Sequence, residues 1–385
     1  MSTENTPSTG IPADDRRLEE SVVGDGRGLW TLAFLAGLVA VVVGGAAARY
    51  LAVHVPEWTA GGSLAEIGAA VEYPVYAIAV GLALNGVLAA AGVRDRLAPG
   101  FRTEFFIKTG LVVLGATVVF SVIVRAAGPA ILQGLLLISG VFGFTWWLAG
   151  RLGLDERLRA LLASAVSICG VSAAIAAAGA VRARREQLAY TASLVIIFAL
   201  PSIFVLPWLA DLLGLSPAVT GAWLGGNIDT TAAVTAAGSI AGEEPLQIAS
   251  IVKLTQNALI GIVAVGLTAW FAFKVDRTAG EKPRAIELWH RFPKFVLGFL
   301  AASVLATVFA EQASAARLED FDATIKVFRD TFLTLAFVSI GLEFKVTSLR
   351  EAGWKPVGVF AAATVFNILL ALALASILFA GFTLD

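Results

Sequence analysis

The chain has 385 residues, of which 58% are hydrophobic and only 15% are charged, and its mean hydropathy is +0.82. Such a composition excludes an ordinary soluble globular domain, because it is far more apolar than one hydrophobic core requires. The net charge of −1 gives no basic surface for nucleic acid, and a single cysteine excludes an internal disulfide framework. We therefore expect most of the chain to lie in the lipid bilayer.

The N-terminal segment, residues 1–27, is the polar exception. It carries a dense run of charged side chains between Asp14 and Glu20, among Ser, Thr, Gly and Pro. Such a segment cannot bury enough apolar area to fold alone, so we predict a disordered cytoplasmic tail. The apolar run from Gly28 to about Val53 is too long for a signal peptide and predicts the first transmembrane helix of a single transporter domain, residues 28–385.

Nine apolar runs along the rest of the chain are each long enough to cross about 30 Å of hydrocarbon as a helix. They cover residues 28–53, 72–92, 104–124, 129–150, 187–211, 246–273, 293–310, 327–344 and 355–380. This pattern predicts an all-α polytopic membrane protein. Two further charge-free stretches, 160–181 and 217–241, are rich in Ala, Gly and Ser and are broken by glycine. We call these two stretches the core segments.

The basic loops indicate the orientation of the chain, because short loops rich in Lys and Arg remain in the cytoplasm. With a cytoplasmic N-terminus, nine spans place every basic loop on that side, provided that each core segment enters and leaves on one face. If both segments instead cross as broken helices, only the loop of Arg182, Arg184 and Arg185 moves outside. The charge pattern favours re-entry from opposite faces, and the two alternatives together predict about 9–11 transmembrane helices.

The two core segments also resemble each other in sequence. Ser172-Ala-Ala-Ile-Ala-Ala-Ala-Gly179 aligns without a gap on Thr231-Ala-Ala-Val-Thr-Ala-Ala-Gly238, and a break of small residues precedes each match. A weaker similarity links the runs that begin at Gly115 and Gly341. Opposed, duplicated elements are typical of inverted-repeat transporters.

The second break carries the most informative side chain of the sequence. A break in a membrane helix exposes backbone groups that lipid cannot satisfy, so it persists where it faces protein, water or a ligand. Asp229 lies at this break and is a functional candidate, because an intramembrane acid is costly unless it is paired, hydrated or protonated. Asp229 and Asn227 suit a sodium ion, a proton relay or a polar substrate. The neutral groups around them belong to Gly225, Gly226, Thr230 and Thr231.

The remaining candidates lie at the first break and on the sixth span. The first break offers the uncharged groups of Ser167, Cys169, Gly170 and Ser172, among which the cysteine is interpreted as a packing residue rather than a nucleophile. Lys253 either extends to the membrane surface or lies inside, where it would neutralise an anion or pair with Asp229. Gln256 and Asn257 follow it one turn later.

Three stretches of the chain together resemble the sulfate exporter family of bacterial and archaeal inner-membrane proteins. They are Ser167-Ile-Cys-Gly-Val-Ser-Ala-Ala-Ile-Ala, Gly225–Gly238 followed by Lys253, and Gly341–Pro356. The family is grouped with cation:proton antiporters and bile-acid symporters, which implies inverted repeats, broken helices in a mobile core, elevator-type movement and a homodimer. The chain departs from the family where members often carry His-Glu and, later, Gln and Arg; here these positions are Asp229, Thr230, Ala233 and Gln256.

The sequence thus predicts a secondary active transporter of the cell membrane for a small anion, sulfate or an organosulfonate, in which Asp229 couples transport to Na⁺ or H⁺. The alternative is a cation:proton exchanger in which Asp229 and Asn227 bind the ion directly. A membrane receptor or scaffold is a third class. An enzyme is the weakest interpretation, because the sequence shows no set of nucleophile, base or metal ligands, and no cofactor is expected.

Overall fold

A computed structural model describes residues 32–59, 72–271, 293–344 and 353–383. The predicted tail, residues 1–27, lies outside these ranges, as does the basic stretch that begins at Lys274. The described ranges are α-helical and contain no strand, and seven helical stretches in them are long and apolar enough to cross a membrane. One of the seven, Glu243–Trp270, consists of two consecutive helices that meet at Leu259. The prediction of an all-α polytopic membrane protein is confirmed.

Fifteen α-helices lie in the described ranges. In chain order they are α1 (Leu32–Thr59), α2 (Tyr73–Ala90), α3 (Arg94–Leu97), α4 (Thr103–Gly115), α5 (Phe120–Arg151), α6 (Glu156–Ser167), α7 (Val171–Val181), α8 (Arg185–Leu212), α9 (Pro217–Asn227), α10 (Thr231–Ala241), α11 (Glu243–Ala258), α12 (Ile260–Trp270), α13 (Phe295–Gln312), α14 (Ala315–Glu343) and α15 (Trp354–Leu378).

Two of the nine predicted spans correspond to helices that do not meet the length and hydropathy of a membrane-crossing helix. The third span corresponds to α4, which has only 13 residues. The eighth corresponds to α14, which begins 12 residues earlier than predicted and carries charged residues along its N-terminal half. Both helices nevertheless pack into the bundle beside longer apolar helices. Hydropathy alone therefore misjudged their extent.

The predicted boundary between the third and fourth spans is wrong. We expected a loop at residues 125–128, but the chain breaks at 116–119, and Pro129 lies inside α5. A Cβ atom at Gly115 would lie 2.3 Å from the carbonyl oxygen of Phe299, so only glycine permits the backbone at residue 115 to approach α13 this closely. The Ser303 hydroxyl donates to the carbonyl of Val118 at 2.5 Å and satisfies a group released by the break.

The helices pack in two groups. The first group consists of α1–α4, α13 and α14, and the second consists of α5–α12 and α15. Contact between the groups is made chiefly by α10, which touches α2, α4 and α14. An ion pair of 2.5 Å between Arg329 of α14 and Glu243 at the start of α11 also joins them. The two core segments both belong to the second group.

The first core segment folds back on itself. The guanidinium of Arg157, at the start of α6, donates to the carbonyl of Arg182, at the end of α7, at 3.1 Å. The Gln187 amide donates to the carboxylate of Asp155 at 2.7 Å, so the start of α8 lies at the same face. We call α6 and α7 the first hairpin and residues 168–170 between them its tip. This geometry is the re-entrant alternative favoured by the charge pattern.

The second core segment folds back in the same way. A Cβ atom at Gly221 of α9 would lie 2.7 Å from the Pro245 carbonyl, and one at Gly238 of α10 would lie 2.9 Å from Leu246 Cα. Both limbs therefore flank the start of α11. We call α9 and α10 the second hairpin and residues 228–230 its tip. Because the 28-residue helix α8 separates the two hairpins and spans about 42 Å, they enter from opposite ends of the bundle.

Candidate substrate and ion site

The tips of the two hairpins touch near the centre of the second group. Gly170 has φ of +64°, a conformation that residues with a side chain rarely adopt. A Cβ atom there would lie 2.6 Å from Val195, 3.2 Å from the Thr230 methyl group and 3.4 Å from the Asp229 carbonyl. The glycine at the first tip therefore allows both the sharp turn and the contact with the second tip.

The carbonyl groups released where α6 and α9 end are paired by side chains from two other helices. Asn367 of α15 donates to the carbonyls of Val166 and Asn227, at 3.1 and 3.0 Å. Gln256 of α11 donates to the carbonyls of Ser167 and Gly226, at 3.0 and 3.3 Å. Each amide thus bridges one carbonyl of the first hairpin and one of the second. The two tips are held together through their backbones.

Lys253 makes the third bridge of this kind. Its ammonium donates to the carbonyl of Ile168 in the first tip, to that of Ile228 in the second tip at 2.8 Å, and to the side-chain oxygen of Gln256 at 2.8 Å. The side chain is 1% exposed. Extension to the membrane surface is therefore wrong, and Lys253 lies inside the protein. Its role there, neutralising an anion or pairing with Asp229, stays a prediction.

Asp229 lies in the second tip beside this ammonium. It is 6% exposed, its electrostatic partner is Lys253, and its carboxylate accepts no hydrogen bond from the residues that the structure describes. The first-turn N–H groups of α7 and α10 lie at the same junction and carry the positive ends of the helix dipoles. The junction thus combines one acid, one base and two helix N-termini.

The other predicted residues lie around the tips, with one exception. The Asn257 amide donates to the Thr231 hydroxyl at 3.0 Å, while its own oxygen and the Ser167 hydroxyl are buried without a hydrogen-bond partner. Thr230 caps α10 by accepting from the Ala233 amide at 3.1 Å. Ser172 is the exception, because it is exposed on α7. Buried packing positions are occupied by Cys169, Gly225 and Gly226.

Sequence reasoning missed Asn367 and Gln133. Both are fully or almost fully buried, and Gln133 of α5 donates to the Ala222 carbonyl of the second hairpin at 2.8 Å. Each is an isolated amide inside an otherwise apolar predicted span, and such residues commonly make hydrogen bonds between membrane helices. That signal could have marked both as bridging residues, although it could not have named their partners. Among the described residues no cluster of His, Cys, Asp and Glu could hold a metal ion.

This fold defines a multi-pass α-helical membrane protein with two re-entrant hairpins. More particularly, the chain belongs to the family described as conserved hypothetical protein 698, whose model matches residues 36–360.

Three relatives illustrate how far the similarity extends. A UPF0324 membrane protein of Rhodopirellula baltica is 36% identical over 316 residues, which cover 80% of this chain and 58% of the relative. A UPF0324 membrane protein of Nitratidesulfovibrio vulgaris is 36% identical over 317 residues, which cover 79% of this chain and 54% of the relative. A second relative from that organism is 30% identical over 309 residues, which cover 79% of this chain and 82% of the relative. The chain thus spans little more than half of the first two relatives, and no solved structure matches it.

Proposed function

We propose that this chain is a secondary active transporter of a small anion, sulfate or an organosulfonate, and that the junction of the two hairpin tips is its binding site. The observation that carries the proposal is the contact between tips of two hairpins that enter from opposite ends, with Asp229 and Lys253 buried beside them. Membrane transporters commonly place substrate sites near the midplane, at breaks in helices related by an inverted repeat.

The junction offers hydrogen-bond donors that suit an anion. Apart from the Ala233 amide, which Thr230 caps, the first N–H groups of α7 and α10 have no partner within their own helices, and helix N-termini attract negative charge. The Ser167 hydroxyl is buried there without a partner. These donors would replace part of the water shell that a small oxyanion loses when it enters the protein. They support an anion more strongly than they support an apolar substrate.

Asp229 would provide the coupling. Its negative charge lies at the same helix N-termini and would repel an entering anion. The anion would therefore bind together with a proton or a cation that neutralises the carboxylate. This linkage is the requirement for symport, because the two bound species favour each other reciprocally.

Alternating access would come from movement of the second helix group past the first. Contact between the groups is made chiefly by α10 and is supported by the Arg329–Glu243 ion pair, so relatively few interactions must exchange. The resemblance to elevator-type carriers and the predicted homodimer agree with such a movement. The count of basic loops supports a cytoplasmic N-terminus in a protein of the cell membrane.

A cation:proton exchanger is the second candidate. It is favoured by Asp229 itself, a buried carboxylate that directly follows Ile228, the residue at the C-terminal end of α9. Backbone carbonyl oxygens at such helix ends bind cations in other transporters with broken helices. In this case the ion would bind without any anion.

Uptake of radiolabelled sulfate and of a labelled organosulfonate into proteoliposomes, with an imposed pH or Na⁺ gradient, tests the proposal. We expect the gradient to accelerate anion uptake, and we expect Asp229→Asn to remove that acceleration because a neutral amide no longer exchanges a proton or pairs with a cation. Asp211→Asn is the matched control, because Asp211 is exposed at the end of α8.

The other outcomes separate the alternatives. Anion uptake whose gradient dependence survives Asp229→Asn would refute the coupling role. Proton flux driven by a cation gradient in the absence of any anion would favour the exchanger. Uptake that ignores every gradient would indicate a channel, and the absence of flux for all solutes tested would favour a receptor or scaffold.

A further inference from the structure

The three side chains that bridge the tips differ in charge. Asn367 pairs Val166 with Asn227, and Gln256 pairs Ser167 with Gly226. The next pair of carbonyls, those of Ile168 and Ile228, is bridged by the ammonium of Lys253. We call each pair of carbonyls with its bridging side chain a layer of the junction. Two layers are therefore bridged by neutral amides, and the third is bridged by a cation.

The charged layer is the one next to Asp229. Ile228 directly precedes Asp229, and Asp229 is the acidic electrostatic partner of Lys253. A neutral amide could satisfy the two carbonyls, as it does in the other layers, but it would leave the buried carboxylate without a counter-charge. A cation at this position therefore stabilises the ionised carboxylate, which would otherwise take up a proton.

The oxygen atoms around the ammonium also form the ligand set of a small monovalent cation. Lys253 is held by two carbonyls at the C-terminal ends of half-helices and by the amide oxygen of Gln256. Half-helix C-termini carry partial negative charge, and unwound carbonyls at broken membrane helices are a common sodium site. The ammonium supplies the same single positive charge from within the chain.

We propose that the ammonium of Lys253 occupies a monovalent-cation site between the hairpin tips, so that the wild-type protein binds no sodium there and removal of the ammonium opens a sodium site. It also follows that, of the two coupling ions considered above, H⁺ and not Na⁺ drives transport, a consequence that rests on the proposed function. The binding statement itself does not depend on transport.

Thermal unfolding of the full chain in detergent, in NaCl or in choline chloride at equal concentration, tests the binding statement. In the wild type we expect the same unfolding midpoint in both salts. In Lys253→Ala the midpoint should fall in choline chloride and should rise by about 2–4 °C with increasing NaCl, because ligand that binds the folded state stabilises it. Lys355→Ala is the matched control, since Lys355 is exposed and its removal should create no response to sodium.

A sodium-specific rise of the wild-type midpoint would overturn the proposal, and so would a folded Lys253→Ala protein that does not respond to sodium. If Lys253→Ala folds only in NaCl, the proposal is supported. If it folds in neither salt, sodium has failed to replace the ammonium and the proposal is wrong. Failure of the transport assay with a correct pattern of sodium stabilisation would reject the proposed function and leave the cation site standing.

Discussion

The two hairpins are alike in sequence and opposite in environment. Their second limbs, α7 and α10, each have 11 residues and contain the aligned repeat. In α10 the residues from Ala233 to Ser239 are all buried, whereas α7 exposes Ser172, Ile175 and Gly179. The difference arises because α10 packs between its own group and α2, α4 and α14, while α7 packs against α6, α8 and α12. The repeated sequence therefore determines that α7 and α10 are helices of equal length, whereas the helices packed around each one determine how deeply it is buried.

The largest expected effect concerns the faces at which the hairpins enter. We expect single cysteines that replace Glu156 and Arg184 to react with an impermeant thiol reagent from the same side of the membrane, and a cysteine at Leu213 to react from the opposite side. All three positions are exposed and flank the hairpins, so the labelling is all-or-none. The experiment is made in a Cys169→Ser background, which removes the single native thiol. Labelling of positions 156 and 184 from opposite sides would reject the first hairpin and restore the crossing alternative.

The second effect concerns two nearly equivalent glycines. Gly238→Ala should destabilise the protein by about 1–3 kcal/mol, because the added Cβ would lie 2.9 Å from the Cα of Leu246. Gly179→Ala meets no atom within 4 Å and should stabilise α7 by about 0.5–1 kcal/mol through helix propensity. The midpoints of thermal unfolding in detergent measure both changes. Equal midpoints for the two variants would show that the environments of α7 and α10 are the same in solution.

The third effect concerns the amides that hold the hairpins. Asn367→Leu should destabilise the protein by about 1–3 kcal/mol for each of the two terminal carbonyls that it leaves unpaired. Gln133→Leu should cost less, because the Ala222 carbonyl that it releases lies inside α9, where the helix already uses it.

Hydrogen exchange gives the more specific readout for this pair of variants. Asn367→Leu should increase exchange in both tips, and Gln133→Leu should increase it in the second hairpin alone. Leu369→Ala, an exposed position on the same helix as Asn367, is the control. An increase confined to one hairpin in Asn367→Leu would contradict the bridging role of this residue.

Much of the fold followed from the sequence, because membrane helices are selected by local hydropathy. The first break was placed correctly at Cys169-Gly170, because small residues are locally unusual in an apolar run. The second, predicted at Gly225-Gly226-Asn227, lies slightly later, at residues 228–230, because those three residues form the last turn of α9. The boundary near Pro129 was misplaced because proline and glycine can either end a helix or lie inside one. Only the Phe299 carbonyl, far away in sequence, shows that Gly115 is the residue at the turn.

By itself, then, the sequence determined that the chain is an α-helical membrane protein with two related and broken core segments, and that Asp229 lies at the second break. The tertiary structure decided that both segments fold back, that their tips touch, and that Lys253, Gln256 and Asn367 bridge the released carbonyls. The physical reason is that hydropathy reports whether a residue tolerates lipid, while a charge-free segment of this length can either cross or return. Its path is set by the distant donors that its broken backbone requires.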